Sequence, residues 1–369
     1  MINRSLRLHY PLLRNLIMKK RIEYIDALRG FTMILVVFSH VELFTFNIDP
    51  PLFINEVFIS FRMPLFFFIS GFIGYKACVE WTGKTWWAMS RKKLMVQLIP
   101  TFFFGLIFAY AYRHLDIFTF ISERYKLGYW FTIVLLEMFL LLYTMNFLLY
   151  QVDKKDSSSR KLIALIVVSV VFFLTRFKNI PFLSISSDIF SLRLLFRYFP
   201  YFAFGYICSM YRDTFNKILE SRYFSAVNIA LFTSLFYVGR TYLSPAPDSP
   251  FYITFLDVSV DVIVGFLGLL IVYNTFKIYA DSFTSDKKVG SALQYIGKRT
   301  LDIYLLHYFF IPYLPQVGRM LEQGNNAALE LALGGGISLL VIGICLVVSN
   351  VIRTSNVLAK YLFGAKTNH

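Results

Sequence analysis

Long apolar runs recur from one end of this chain to the other, and they decide what it can fold into. A helix that crosses a bilayer needs about 20 mainly apolar residues, because lipid offers no partner to an unpaired backbone N–H or C=O. Ten such segments can be drawn, at 24–44, 57–77, 97–113, 130–149, 161–175, 193–210, 224–240, 256–276, 301–317 and 329–351. No remaining loop could hold a soluble domain, the longest being near 277–300. The expected fold is all-α: a polytopic membrane protein with about ten transmembrane helices. It divides into a basic leader (1–23), a single transmembrane domain (24–351) and a tail (352–369). A hydrophobic fraction of 57% against 16% charged residues agrees with that class.

The net charge of +15 invites a nucleic-acid partner, but its distribution argues for a membrane. With the N-terminus placed in the cytoplasm, 26 of the 37 Lys and Arg residues fall on the cytoplasmic side and 7 on the other. That count assigns Lys76, Arg113, Lys161 and Arg240, at the ends of spans, to the adjoining loops; the remaining 4, Arg29, Arg62, Arg193 and Arg197, are counted inside the spans. That asymmetry is the positive-inside bias, and with an even number of spans it puts both termini in the cytoplasm. The first twenty residues are basic but lack an apolar core followed by a small-residue cleavage site, so they do not read as a removed signal peptide. Cys78, Cys208 and Cys345 sit at or within apolar segments without paired spacing, which suits small hydrophobes better than a disulfide or zinc framework.

Polar residues inside these spans are where chemistry is expected, since ionisable groups in a membrane are expensive and usually functional. Arg29 and His40 share the first span with ten residues between them. Eleven helical steps advance about 16 Å and return to within roughly 20° of the starting direction, so both side chains line one stripe. Asp26, three residues before Arg29, joins that stripe and can pair with the guanidinium. Running the second and fourth spans inward brings Arg62 and Glu137 near the depth of His40. A base, a cation and a carboxylate at one level can form an active site: His40 as general base, Glu137 orienting its ring, Arg62 holding a substrate oxygen. For His307, by contrast, an interhelical hydrogen bond is the simpler reading.

These residues lie in five ordered segments that resemble one family. Arg21 to Gly30 followed by Val36-Val37-Phe38-Ser39-His40 is similar to the opening helix of the acyltransferase-3 family, bacterial integral-membrane O-acyltransferases marked by an arginine, ten residues, then a histidine. Phe61-Arg62-Met63-Pro64 through Ser70-Gly71-Phe72 resembles its second helix, and Gly128-Tyr129-Trp130-Phe131 with Glu137 its fourth. Arg197 to Tyr206 resembles the sixth, and Gly297-Lys298-Arg299-Thr300-Leu301-Asp302 through His307 the ninth.

The resemblance implies transfer of an acyl group, acetyl above all, from acetyl-CoA or another acyl-CoA to a hydroxyl of a cell-surface or membrane-presented glycan. The setting would be the bacterial inner membrane. His40 would be the family's essential histidine and Arg29 its paired arginine, with Ser70 and Arg62 at further motif positions. The chain departs from the pattern before Pro100, where paired arginines are replaced by Arg91-Lys92-Lys93 further upstream. Lysine lacks arginine's bidentate fork. Arg29, Asp26, Ser70, Arg91, Lys92 and Lys93 are nevertheless the residues expected on the coenzyme A side. No glycine-rich phosphate loop or metal-ligand spacing is present, so acyl-CoA is expected as co-substrate without a metal. Direct transfer and a covalent acyl intermediate on His40 or Ser70 both stay open. Two other readings use the same residues: a proton-coupled carrier conducting along Asp26, Arg29 and His40, and a sensing scaffold that has lost catalysis.

Overall fold

A computed structural model of the chain describes residues 22–77, 79–153, 157–177, 189–243 and 249–364. Nearly all of the expected leader, the end of the tail and Cys78 lie outside the described residues. Among those described there is no strand. The helices run α1 Glu23–His40, α2 Phe53–Gly74, α3 Gly83–Lys93, α4 Ile99–Arg113, α5 Ile117–Ser122, α6 Trp130–Asp153, α7 Ser158–Thr175 and α8 Leu192–Met210. They continue as α9 Arg212–Leu219, α10 Phe224–Tyr242, α11 Phe251–Ile278, α12 Lys288–Lys298, α13 Thr300–Leu306, α14 Pro315–Gly324, α15 Ala327–Ile352 and α16 Asn356–Phe363.

Seven helical stretches among the described residues are long and apolar enough to cross a membrane: Glu23–Thr45, Phe53–Gly74, Gly83–Arg113, Trp130–Asp153, Ser158–Thr175, Phe251–Ile278 and Ala327–Ile352. This is a polytopic helical membrane protein. The expected spans at 193–210 and 224–240 are helical as α8 and α10, each 19 residues, but neither is among the seven. The stretch 301–317 is not one helix. It comprises α13, a 3-10 turn at His307–Phe309 and a non-helical link to Pro315. Pro312 supplies the reason: its ring would clash with the carbonyl four residues back, and it has no N–H to continue the ladder.

Glycines let the central helices touch backbone to backbone. A Cβ on Gly71 of α2 would stand 1.9 Å from the Phe202 carbonyl of α8, and one on Gly205 of α8 would stand 2.0 Å from the Phe68 carbonyl of α2. The same reciprocity joins α1 to α12, where Gly30 faces the Leu293 carbonyl at 2.0 Å and Gly297 the Asp26 carbonyl at 1.8 Å. Between apolar helices in lipid, close van der Waals packing is the main attraction, and small residues permit it. In the Gly334–Gly336 run only Gly334 is so placed, against the Phe38 ring.

Two polar clamps hold the remaining pieces. Asp302 of α13 accepts from both Nε and Nη2 of Arg353 at 2.7 and 2.8 Å, and from Ser349 at 2.5 Å. This bidentate pair fastens the short helix to the end of α15. At the other end, Glu42 accepts from the Leu52 N–H at 2.7 Å and Glu330 from the Asn55 N–H at 2.9 Å. Both carboxylates satisfy otherwise orphaned donors at the start of α2 and complement its positive end.

Candidate active site

α1 carries His40 on its last turn, where the chain continues into a π-helical turn, Val41–Thr45. His40 lines a cavity of about 640 Å³ with Arg62. Across from it stands α13, held by the Asp302 clamp. His40 Nδ1 lies 2.8 Å from His307 Nε2, His307 Nδ1 lies 3.0 Å from the Ile303 carbonyl, and the Tyr308 hydroxyl lies 3.3 Å from His40 Nε2.

This chain of contacts assigns protons. The Ile303 carbonyl can only accept, so His307 Nδ1 carries the hydrogen. In a neutral His307, Nε2 is then an acceptor, and His40 must donate to it from Nδ1. A neutral His40 is thereby left with its lone pair on Nε2, the atom toward Tyr308. The tautomer follows from the hydrogen-bond network, and it is the one a general base requires.

Arg62 is the second candidate group. Its Nε and Nη1 are buried and have no hydrogen-bond partner among the described residues. Buried unpaired donors are costly, so their presence on a residue that lines the cavity marks Arg62 as a functional candidate. Trp130 and Tyr198, stacked with centroids 5.5 Å apart, give the same cavity a broad aromatic wall.

A second cavity of about 280 Å³ is lined by Arg29, Ser70 and Lys93. Arg29 donates to the Thr300 hydroxyl at 2.9 Å and stands 3.7 Å from Asp26, which is buried behind it. Lys93 places its ammonium 3.3 Å from the centroid of the Phe139 ring. Ser70 donates to the Phe66 carbonyl at 2.9 Å. Arg91 and Lys92 are exposed and line neither cavity. Outside the spans, partial burial and then the charge of Lys92 hold the Lys76 ammonium below the usual lysine range, so cations crowd this end.

The residues singled out in the sequence therefore separate into two groups. His40 and Arg62 share one cavity, while Arg29, Ser70 and Lys93 share the other. Glu137, expected beside His40, lines neither, and its Oε2 is buried without a hydrogen-bond partner among the described residues. The hydrogen bonds given to His40 go instead to His307 and Tyr308. His307 does make the interhelical bond expected of it, but its partner is the candidate base. The presence of His307-Tyr308 at the end of a motif helix was the available signal. Their contacts with His40, 267 and 268 positions away, were not visible. Among the described residues, no three His, Cys, Asp or Glu side chains gather as metal ligands would.

Neither the curated proteins nor the solved structures contain a match to this chain. A family match does exist: residues 22–349 fit the acyltransferase-3 pattern, described as an acyltransferase domain, and cover the motif segments, all but Arg21, and both cavities. With most of its length matched and its helices suited to a bilayer, the chain belongs to the acyltransferase-3 family and is a membrane acyltransferase.

Proposed function

We propose that the protein moves an acetyl group from acetyl-CoA to a hydroxyl of a membrane-presented or cell-surface glycan, in the bacterial inner membrane. The observation that carries this reading is the separation of functions along α1. A cationic cavity lies at Arg29, and a larger one, lined by His40 and by Arg62 with two unpartnered nitrogens, lies at the other end. The diphosphate end of coenzyme A suits the Arg29 and Lys93 end, with Arg91, Lys92 and Lys76 near its mouth and Asp26 orienting Arg29. Its extended arm is comparable in length to the Arg29–His40 track, about 16 Å by helical rise. The aromatic wall and the volume of the larger cavity suit a sugar.

In this mechanism His40 Nε2 takes the proton of the acceptor hydroxyl as its oxygen attacks the thioester carbon. His307 holds the ring and accepts from Nδ1 throughout. Arg62 receives the negative charge that develops on the carbonyl oxygen, in the manner of an oxyanion hole. The thiolate leaves and is protonated by His40, which carries the proton of the acceptor hydroxyl. Ser70 lines the cavity opposite the one that holds His40, which favours direct transfer over a seryl intermediate activated by His40.

Arg29→Lys tests the donor assignment. The substitution keeps the charge but loses the planar fork, so acetyl-CoA should bind about tenfold more weakly to folded protein. Unchanged affinity by calorimetry would remove Arg29 from the donor site.

We also propose ten crossings with both termini in the cytoplasm, the Arg29 end facing inward. Residues 300–314 would cross as a broken segment, which is tolerated where protein shields the non-helical backbone from lipid. Ser157→Cys and Pro245→Cys should then label from opposite faces of intact cells; position 245 lies outside the described residues. Labelling of both from one face would overturn the count.

A further inference from the structure

The linings of the two cavities have Phe66, Phe131 and Tyr304 in common. All three are buried. The Phe66 and Phe131 rings meet edge to face at 4.8 Å, and Phe131 and Tyr304 meet at 5.5 Å. Tyr304 is also tied at its tip: its hydroxyl donates to the Gly128 carbonyl at 2.8 Å and accepts from the Phe131 N–H at 3.1 Å. Gly128 itself adopts φ +101, and a Cβ there would strike the Tyr308 hydroxyl, so this loop has little room to shift. Tyr304 is thus fastened at its tip by two hydrogen bonds, while the two phenylalanine rings have only packing to hold them.

We propose that Phe66 and Phe131, hinged against a fixed Tyr304, form an acyl gate that limits the size of the group delivered to His40. The inference rests on the donor and acceptor reading above: a thioester approaching from the Arg29 cavity must part this layer to reach the base. A short acyl group needs only a small rotation of one ring. A longer chain would hold both rings out of their packed positions while the thioester is in place, and each additional methylene in a confined apolar passage is worth about 10–200-fold in discrimination. When the gate is shut, the layer also keeps the two aqueous ends apart.

Two reactive donors of different bulk test this on the full-length protein in detergent. Bromoacetyl-CoA and 2-bromohexanoyl-CoA carry the leaving bromide on the same carbon, next to the thioester carbonyl. A cysteine thiolate attacks that carbon, forming a C–S bond as bromide departs, and the thiol proton goes to buffer. Met63→Cys places the thiol on the wall of the larger cavity, beyond the gate, and Leu135→Cys places it on the donor side. Modification at each position is read by peptide mass spectrometry, which separates it from the native cysteines.

With the gate intact, Leu135→Cys should accept both reagents and Met63→Cys chiefly bromoacetyl-CoA. Adding Phe66→Ala should raise the 2-bromohexanoyl to bromoacetyl ratio at position 63 by roughly tenfold or more. Phe131→Leu should do the same to a smaller degree and carries the test if Phe66→Ala fails to fold. An unchanged ratio in both variants would overturn the gate, as would labelling at 135 with none at 63 in any background. Labelling at neither position would remove the donor site itself, and the gate with it.

Discussion

Replacing His40 with alanine is expected to lower acyl transfer by roughly 10²–10⁴-fold, the usual contribution of a positioned acid–base group. Donor binding should persist, because His40 lines the cavity remote from Arg29. Release of free coenzyme A in the presence of acceptor membranes, compared with acetyl-CoA affinity by calorimetry, separates the two effects. The contacts around the ring refine the expectation. His307→Gln should cost less than His40→Ala, since it removes the acceptor that fixes the His40 tautomer but leaves the base in place. Glu137→Gln should also cost less, and comparing it with His307→Gln tells which residue supports the imidazolium. Full transfer by folded His40→Ala protein would refute the mechanism, and an acyl-protein adduct seen by mass spectrometry would favour a covalent route.

Gly71→Ala is expected to be severely destabilising, although it adds a single methyl group. The new Cβ would lie 1.9 Å from the carbonyl oxygen of Phe202 and 3.1 Å from the Tyr206 nitrogen, both backbone atoms that no rotamer change can move aside. The helices α2 and α8 must separate, and Gly205 meets α2 at the same crossing. Overpacking typically costs about 1–3 kcal/mol where side chains can adjust, so a loss of about 3 kcal/mol or more is expected here. Gly335→Ala is the control, because nothing stands within 4 Å of its added methyl. Thermal unfolding in detergent should show a large drop for Gly71→Ala and little change for Gly335→Ala. Equal melting temperatures would show that these backbones are not in contact.

Much of the site was legible along α1 because a helix repeats every 3.6 residues. The spacing of Asp26, Arg29 and His40 places them on one stripe whatever surrounds it. The glycines at 30, 71, 205 and 297 were legible as members of the motif segments, but their pairing across helices was not. Depth arguments grouped His40 with Arg62 and Glu137. Depth constrains one coordinate only, and azimuth about each helix axis depends on how neighbours pack. That is why Arg62 shares the His40 cavity while Glu137 lines neither. The stretch 301–317 was read as a span because its apolar content is high, and hydropathy does not register the break that Pro312 imposes.

The sequence by itself determined the class of this protein, with helices long enough for a bilayer and an arginine and histidine in line on the first. These are local or additive properties, readable from composition and periodicity. Only the tertiary structure decided which residue bonds Nδ1 of His40, and that Arg29 and His40 line two cavities with three aromatic residues in common. Both depend on contacts between residues far apart in the chain. Such contacts are set by which helix faces pack together, and a single sequence does not state that.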